Sequence, residues 1–317
     1  MKYSDCALKI LAAHVCGLIK TRAQFAKEIT APECLDRLLE NHPSVKEQAV
    51  ILREKIEKSE EWRLQSNCGF ICPFDLEFPV INPKSNRGDR PFLIFYQGDL
   101  KLLRDLNRIV AVIGVLNPEN GVIEREEKVV SSLVKHKMII LSGLAKGCDA
   151  IAHQVCLDRG GKTIAVLPST LQKIVPAENR ELAEKIVAKG GLLMTEYYQE
   201  TENRFESTQR FVDRDRLQAM FAKAVILSAS YRKDEGDSGS RHAMEYARKF
   251  HINRYMIFNP DTDANAPQYG LNYDYYINNS GVEILTPAAI ETLSKSQNNL
   301  LVSDVPPLDS DDQLSFL

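Results

Sequence analysis

Ile109-Val-Ala-Val-Ile113 runs directly into Gly114, and Met138-Ile-Ile-Leu141 runs into Ser142-Gly143. Short uninterrupted apolar runs closed by a glycine turn are the pattern of strands buried on both faces. Residues 122–136 between them carry a helical pattern, and the alternation continues downstream. A helix is expected at 148–158, a strand over Thr163-Ile-Ala-Val-Leu167, a helix at 179–189 and a strand at 192–195. A helix at 213–222, a strand at 224–228, a helix at 238–250 and a strand at 254–258 complete the series. Strands alternating with helices of about ten residues imply right-handed crossovers. The predicted fold class is therefore α/β, a Rossmann-like parallel sheet with helices on both faces, over residues 109–294.

Working outward, residues 1–65 read as a small helical N-terminal module. Leu8, Ile10, Leu11, Val15 and Leu18, then Cys34, Leu35, Leu38 and Leu39, recur at helical spacing, and Pro32 and Pro43 divide the region into short helices. Residues 66–108 read as a connecting segment, broken by Pro73, Pro79, Pro83 and Pro91, with Phe92-Leu-Ile-Phe-Tyr96 as a short strand. Residues 295–317 read as an acidic flexible tail: four aspartates, Pro306-Pro307 and no basic residue after Lys295.

Composition narrows the function classes. The 317 residues are 44% hydrophobic and 26% charged, with 40 basic against 43 acidic side chains and a net charge of −3. That excludes coating of nucleic acid by bulk positive charge, though not a local basic groove. No apolar run approaches the roughly 18 residues of a membrane span. Asp5, Lys9 and His14 interrupt the first twenty residues, unlike a signal peptide. Seven scattered cysteines in a chain of this size imply reduced thiols and a cytoplasmic location. Cys68 and Cys72 flank Gly69-Phe-Ile with no second Cys/His pair nearby, so no metal site is expected.

In an open parallel sheet, ligands bind beyond the carboxyl ends of the strands. Gly114-Val-Leu-Asn-Pro-Glu-Asn-Gly121 follows the first of these strands, and Ser142-Gly-Leu-Ala-Lys-Gly147 follows the second, leading into a helix. Such turns gather backbone N–H groups at the positive end of a helix dipole, which suits a phosphate, and Lys146 would add a point charge. The plain alternative is a tight turn with a solvated lysine. Neither G-x-G-x-x-G after the first strand nor G-x-x-x-x-G-K-[ST] occurs, which disfavours a dehydrogenase or a P-loop ATPase. Asp237-Ser-Gly-Ser240 opens a further helix, with Ser238 or Ser240 as cap. Upstream, Arg204, Arg210, Arg214 and Arg216 fall within thirteen residues, interleaved with Asp213 and Asp215. They fit either a structural ion-pair network or a phosphate-binding surface. Phe205 and Phe211 in the same segment suit either base stacking or a core.

Taken in order, Ser142-Gly-Leu-Ala-Lys-Gly-Cys-Asp-Ala-Ile-Ala-His153, Gly161-Lys-Thr-Ile-Ala-Val166, Pro176-Ala-Glu-Asn179, Thr195-Glu196, Phe211-Val-Asp-Arg214-Asp-Arg216 and Ser238-Gly-Ser240 resemble the DNA processing protein A family, also called Smf. Order and spacing match over about 75–294, including Phe92-Leu-Ile-Phe-Tyr-Gln-Gly-Asp99 as the lead-in. The resemblance implies a mediator that binds single-stranded DNA, protects it and hands it to the RecA recombinase in transformation or repair. It implies no catalytic cycle, no cofactor and a homodimer. Its glycine-rich loop residues fall on Gly114, Ser142, Gly143, Gly147, Ser238, Gly239 and Ser240. Its basic residue at the DNA surface falls on Arg180 beside Asn179, and Lys146, Arg214 and Arg216 would neutralise phosphates. Asp149 and His153 match family positions and are read as structural or orienting groups.

The departures are specific. Val115 and Leu116 stand where the family has Ser or Thr and then a phosphate-gripping Arg, Pro168-Ser-Thr-Leu171 replaces a glycine-rich turn, and Asp215 replaces the middle amide of an Arg-Asn-Arg. Ala243-Met244 replaces a small Thr-Ala pair, and the winged-helix domain that often closes the family's chain is not seen. Gln313-Leu-Ser-Phe-Leu317 resembles the short peptide that docks on the bacterial sliding clamp, with Gln313, Leu314, Phe316 and Leu317 as anchors. A nucleotide-binding sensor or nucleotide hydrolase of the same superfamily is the alternative reading. Against it, the P-G-G-x-G-T loop of such enzymes is missing. A scaffold acting only through partner surfaces is a third.

Overall fold

The structure, a computed structural model, describes residues 2–59, 67–237 and 239–295. Four helices come first: α1 (Asp5–Val15), α2 (Arg22–Glu28), α3 (Pro32–Glu40) and α4 (Pro43–Lys58). Ser4 and Thr21 cap α1 and α2 by accepting from Ala7 N and Gln24 N, and proline opens α3 and α4. Strands β1 (Cys68–Ile71) and β2 (Ile94–Gly98) follow, then β3 (Ile109–Ile113), α5 (Asn120–Lys135), β4 (Ile139–Ser142), α6 (Cys148–Asp158) and β5 (Thr163–Val166). Next come α7 (Arg180–Ala188), β6 (Leu192–Thr195), α8 (Arg204–Met220), β7 (Ala224–Leu227), α9 (Arg241–Lys249) and β8 (Asn253–Met256). The described chain ends with α10 (Pro260–Asp263), α11 (Gly270–Ile277), β9 (Glu283–Ile284) and α12 (Pro287–Lys295).

One sheet of nine strands runs in the order β1-β2-β6-β5-β4-β3-β7-β8-β9. The seven strands from β6 to β9 pair in parallel, as expected for an α/β sheet, while β2 joins β6 and β1 joins β2 antiparallel. Both strands from the stretch expected to connect two units are thus part of the sheet. Because β3 lies between β4 and β7, the chain winds outward from β3 in one direction and then returns to build the other half. The switch point therefore falls between β3 and β7.

Side chains of β3 alternate between the two layers. Ile109, Ala111 and Ile113 share a core with Leu217 and Met220 of α8 and with Met244 and Phe250 at α9. Val110 and Val112 share one with α5, α6 and α12 through Val130, Cys156 and Ile290. The helical module covers the β2–β6–β5 part of that second face, Leu8, Leu11 and Phe25 joining Phe95, Leu193 and Ile186 in one cluster. Among the described residues, no helix is long and apolar enough to cross a membrane.

Two helix starts differ from the sequence expectation. The helix predicted from 213 begins at Arg204, nine residues earlier, with Asn203 Oδ1 accepting from Glu206 N (2.9 Å). The Arg/Glu-rich first turns lack an apolar stripe, so cap chemistry rather than periodicity marks the start. The helix predicted from 238 begins at Arg241, and one of its two expected caps, Ser240, donates its hydroxyl to Gly114 O (2.8 Å) instead.

Candidate nucleic-acid interface

The loop after β4 is shaped from beneath by α6 and α8. Asp149, in the first turn of α6, accepts from Gly143 N and Ala145 N (both 3.2 Å), and Asn179 donates to Leu144 O and Ala145 O (2.9 and 3.0 Å). Arg214 crosses below, its Nη1 3.4 Å from Asp149 Oδ2 and its Nε 3.2 Å from Asp215 Oδ1. A Cβ on Gly143 would lie 0.9 Å from Arg214 Nη1, so any larger residue here would have to displace that guanidinium. Gly147 is required twice over: its φ is +70°, and a Cβ would meet the Val115 and Leu116 carbonyls at 2.4 Å. With its amide turned to satisfy both neighbours, Gln218 accepts from Gly143 N (2.9 Å) and Arg214 Nη1 (3.0 Å).

These contacts redistribute the roles assigned from sequence. Ser142 is fully buried and donates to Val112 O (2.6 Å), linking β4 to β3. The amides of Gly143 and Ala145, expected to cradle a phosphate, are held by Asp149. Arg214 and Arg216 are only 5% and 1% exposed. Arg216 reaches Glu196 and donates to Asp89 O (2.9 Å). Of the two arrangements open in sequence, the structure builds an internal ion-pair network from these two arginines. Asp213 belongs to it as well, 3.3 Å from Arg22 of α2. Burial pushes the Asp215 carboxyl up to about 7, with Arg214 opposing and Asp149 adding to the rise. His153 is also interior: Thr163 gives its hydroxyl proton to Ile140 O, so the 2.6 Å contact to His153 Nδ1 requires that nitrogen to donate. Burial, with the Arg214 charge, pushes the imidazole down to about 3 and keeps it neutral.

The switch point between β3 and β7 is closed by the chain itself. Asp237 Oδ2 accepts from Leu116 N (2.5 Å), while Gln268 accepts from Glu119 N (2.9 Å) and donates to Asn117 O (2.8 Å). Gly114 lies under Ser240, and a Cβ on Gly239 would meet only Asp237 Oδ1, at 3.7 Å. Beneath this loop, fully buried Glu126 of α5 sits beside Cys148 and Ser228, and burial pushes its carboxyl up to about 8. The sequence does not single out Asp237 or Gln268 as clamps; an acidic residue next to a Ser-Gly-Ser turn is the one signal it offers.

Over β4, β5 and β6 the edge is open. Lys146 stands out from its loop and meets Glu178 (2.6 Å). Arg180 is exposed in the first turn of α7 with no ion-pair partner among the described residues. A small cleft of about 40 Å³, open to solvent, lies beyond β5 and β6, walled by Ser169, Thr170, Lys173, Glu200, Ser207, Arg210 and Phe211. Lys173 pairs with Glu200 (2.5 Å) at its mouth, both side chains more than half exposed. Arg210 is braced by Gln199 O (2.7 Å), Glu206 (2.6 Å) and the Tyr197 ring, 4.1 Å away. At the start of α8, Arg204 is exposed and Phe205 is 81% exposed. Ser238, Gln313, Leu314, Phe316 and Leu317 lie outside the described residues.

A family model described as DNA recombination-mediator protein A matches residues 69–270, well over half of the chain. The chain belongs to this family. It is similar to Protein Smf of Synechocystis sp., 30% identical over 263 residues that cover 80% of this chain and 58% of that protein. It is also similar to DNA processing protein DprA of Streptococcus pneumoniae, 34% identical over 161 residues, covering 50% of this chain and 54% of the other. The chain thus spans little more than half the length of these curated relatives. Among solved structures, DprA from Streptococcus pneumoniae aligns with a TM-score of 0.62 and 23% identity over 92% of this chain and 93% of that one, which establishes the shared fold. DNA processing protein A from Helicobacter pylori, whose structure is described for its single-stranded DNA binding mode, aligns with a TM-score of 0.58 and 25% identity over 68% of this chain and 92% of its own.

Proposed function

We propose that this protein binds single-stranded DNA along the open half of the sheet's carboxyl edge and acts as a recombination mediator, delivering the strand to a RecA-type recombinase in DNA uptake or repair. The observation that carries the reading is a set of exposed side chains on the elements that follow β4, β5 and β6: Lys146 in the loop after β4, Lys173 in a hydroxyl-lined cleft, Arg180 at the start of α7, and Arg204 and Phe205 at the start of α8. An arginine in the first turn of a helix opposes the helix dipole and gains nothing from it, so Arg180 is placed for an external anion. An exposed aromatic ring next to an exposed arginine, as Phe205 is next to Arg204, supplies a stacking platform on which bases bind without sequence preference. In this reading Lys146 and Arg180 contact phosphates, whereas Asn179, Arg214 and Arg216 act through the loops they brace. Gly114, Ser142, Gly143, Gly147, Gly239 and Ser240 shape those loops. A homodimer, and docking of the C-terminal segment on a sliding clamp, belong to the same proposal, as does a role without catalysis.

Fluorescence anisotropy of a labelled single strand, beside a duplex of equal length at two salt concentrations, tests the reading. Single-strand preference is expected, with a salt slope of about −0.7 per phosphate neutralised. Arg180→Ala should weaken binding and make that slope shallower by about 0.7. Salt-insensitive binding, or equal binding of the duplex, would sink the proposal.

A further inference from the structure

The first residues of the chain run beside β1. Lys2 N donates to Cys68 O (2.9 Å) and Phe70 N donates to Lys2 O (3.0 Å), setting Lys2 opposite Gly69 in parallel register. Tyr3 then stacks on Phe70, with ring centroids 4.9 Å apart and planes 13° from parallel. From that shared start the two segments converge on a pair of sulfurs. Cys6 sits half-buried in the first turn of α1, and Cys72, one residue past β1, is fully buried in the cluster against which Cys6 packs. Cys6 and Cys72 follow the paired residues Lys2 and Gly69 by four and three positions, and each thiol acts on the titration of the other. Cys72 is fixed from its other side, its N–H donating to Asp75 Oδ2 (2.8 Å).

We propose that Cys6 and Cys72 are a peroxide-responsive thiol pair that closes to a disulfide and ties the N-terminal helical module to the edge of the sheet. The division of labour follows from position. The Cys72 thiol, donating to Cys6, holds Cys6 below its ordinary range; burial of Cys6 and the Asp75 carboxylate oppose this, and Lys9 assists. The Cys6 contact and then burial raise Cys72. Cys6, at a helix N-terminus and reachable from solvent, is the attacking sulfur. Its thiolate displaces hydroxide from hydrogen peroxide as the O–O bond breaks, leaving a sulfenic acid and, after protonation, one water. The Cys72 sulfur then attacks the Cys6 sulfur: the S–S bond forms, the S–O bond breaks, and hydroxide leaves with the Cys72 proton as a second water. Two thiols and one peroxide become one disulfide and two waters. The ring so closed contains α1 to α4 and β1.

The test is mass spectrometry of the full chain after limited hydrogen peroxide, maleimide quench and proteolysis. A linked Cys6–Cys72 peptide is expected with loss of two maleimide-reactive thiols per chain, restored by dithiothreitol and formed before exposed Cys16 is oxidised. Cys72→Ser should leave a dimedone-reactive sulfenic acid at Cys6, and Cys6→Ser should give neither product. Oxidation of Cys16 while Cys6 and Cys72 stay unlinked in the wild-type chain would overturn the proposal, and it does so without relying on any variant's folding.

Discussion

Over β3 and β7 the Leu116 amide is already met by the Asp237 carboxylate, and Gln268 holds both sides of the loop that follows. On the elements that follow β5 and β6 the chain leaves Arg180, Arg204 and Phe205 facing solvent. Both halves are built from the same parts: a strand end, a turn and a helix N-terminus. The closed half is the topological switch point, where doubly wound folds commonly bind. In this chain the Leu116 and Glu119 amides there are satisfied internally, whereas the other half carries exposed Arg180 with no ion-pair partner among the described residues. Topology marks where a ligand can enter; the hydrogen-bond accounting decides whether it does.

The largest expected effect lies beneath both halves. Arg214→Ala strips the counter-charge from buried Asp149 and Asp215, and breaking such an ion pair from one side costs about 3–5 kcal/mol. Urea unfolding should show that loss; a midpoint within error of wild type would mean that the loops do not depend on the network.

Glu126→Gln probes the underside of the closed half. The Glu126 carboxyl titrates near pH 8 in the fold against an ordinary 4.5. The folded state therefore holds its proton more tightly than the unfolded state does, and this stabilisation is complete below pH 4.5 and lost as pH rises through about 8. The glutamine variant should gain on wild type steadily across that window, by about 1.4 kcal/mol for each step of one in pH. Unfolding midpoints that run parallel with pH would contradict a raised Glu126 carboxyl.

Phe205→Ala acts on the open half alone, and should cost about 1–3 kcal/mol of single-strand affinity with unchanged unfolding. Asp237→Asn acts on the closed half and removes one negative charge near the loop. A gain in affinity worth about 1 kcal/mol or less is expected. A much larger gain would mean that the closed half is the DNA site and Asp237 its occluding group, reversing the contrast.

Much of this architecture is legible in the residues. Ile109–Ile113 has the bounds its apolar run suggests, because a strand buried on both faces leaves a continuous signal. The two-residue β9 has too little length to leave one. The cations are harder to assign. Arginine in a sequence reads as surface, yet Arg214 is buried because Asp149, sixty-five positions away, meets it from another helix. Among the described residues Arg180 and Lys146 have no such buried partner, and both side chains stand at the surface.

The margins of the sheet are also accounted for. On β1, the carbonyl of Cys68 and the N–H of Phe70 are taken by Lys2, and at the opposite margin β9 offers two residues. A foreign strand seeking to extend the ladder finds little to pair with on either side, which is how natural sheets resist edge-to-edge aggregation.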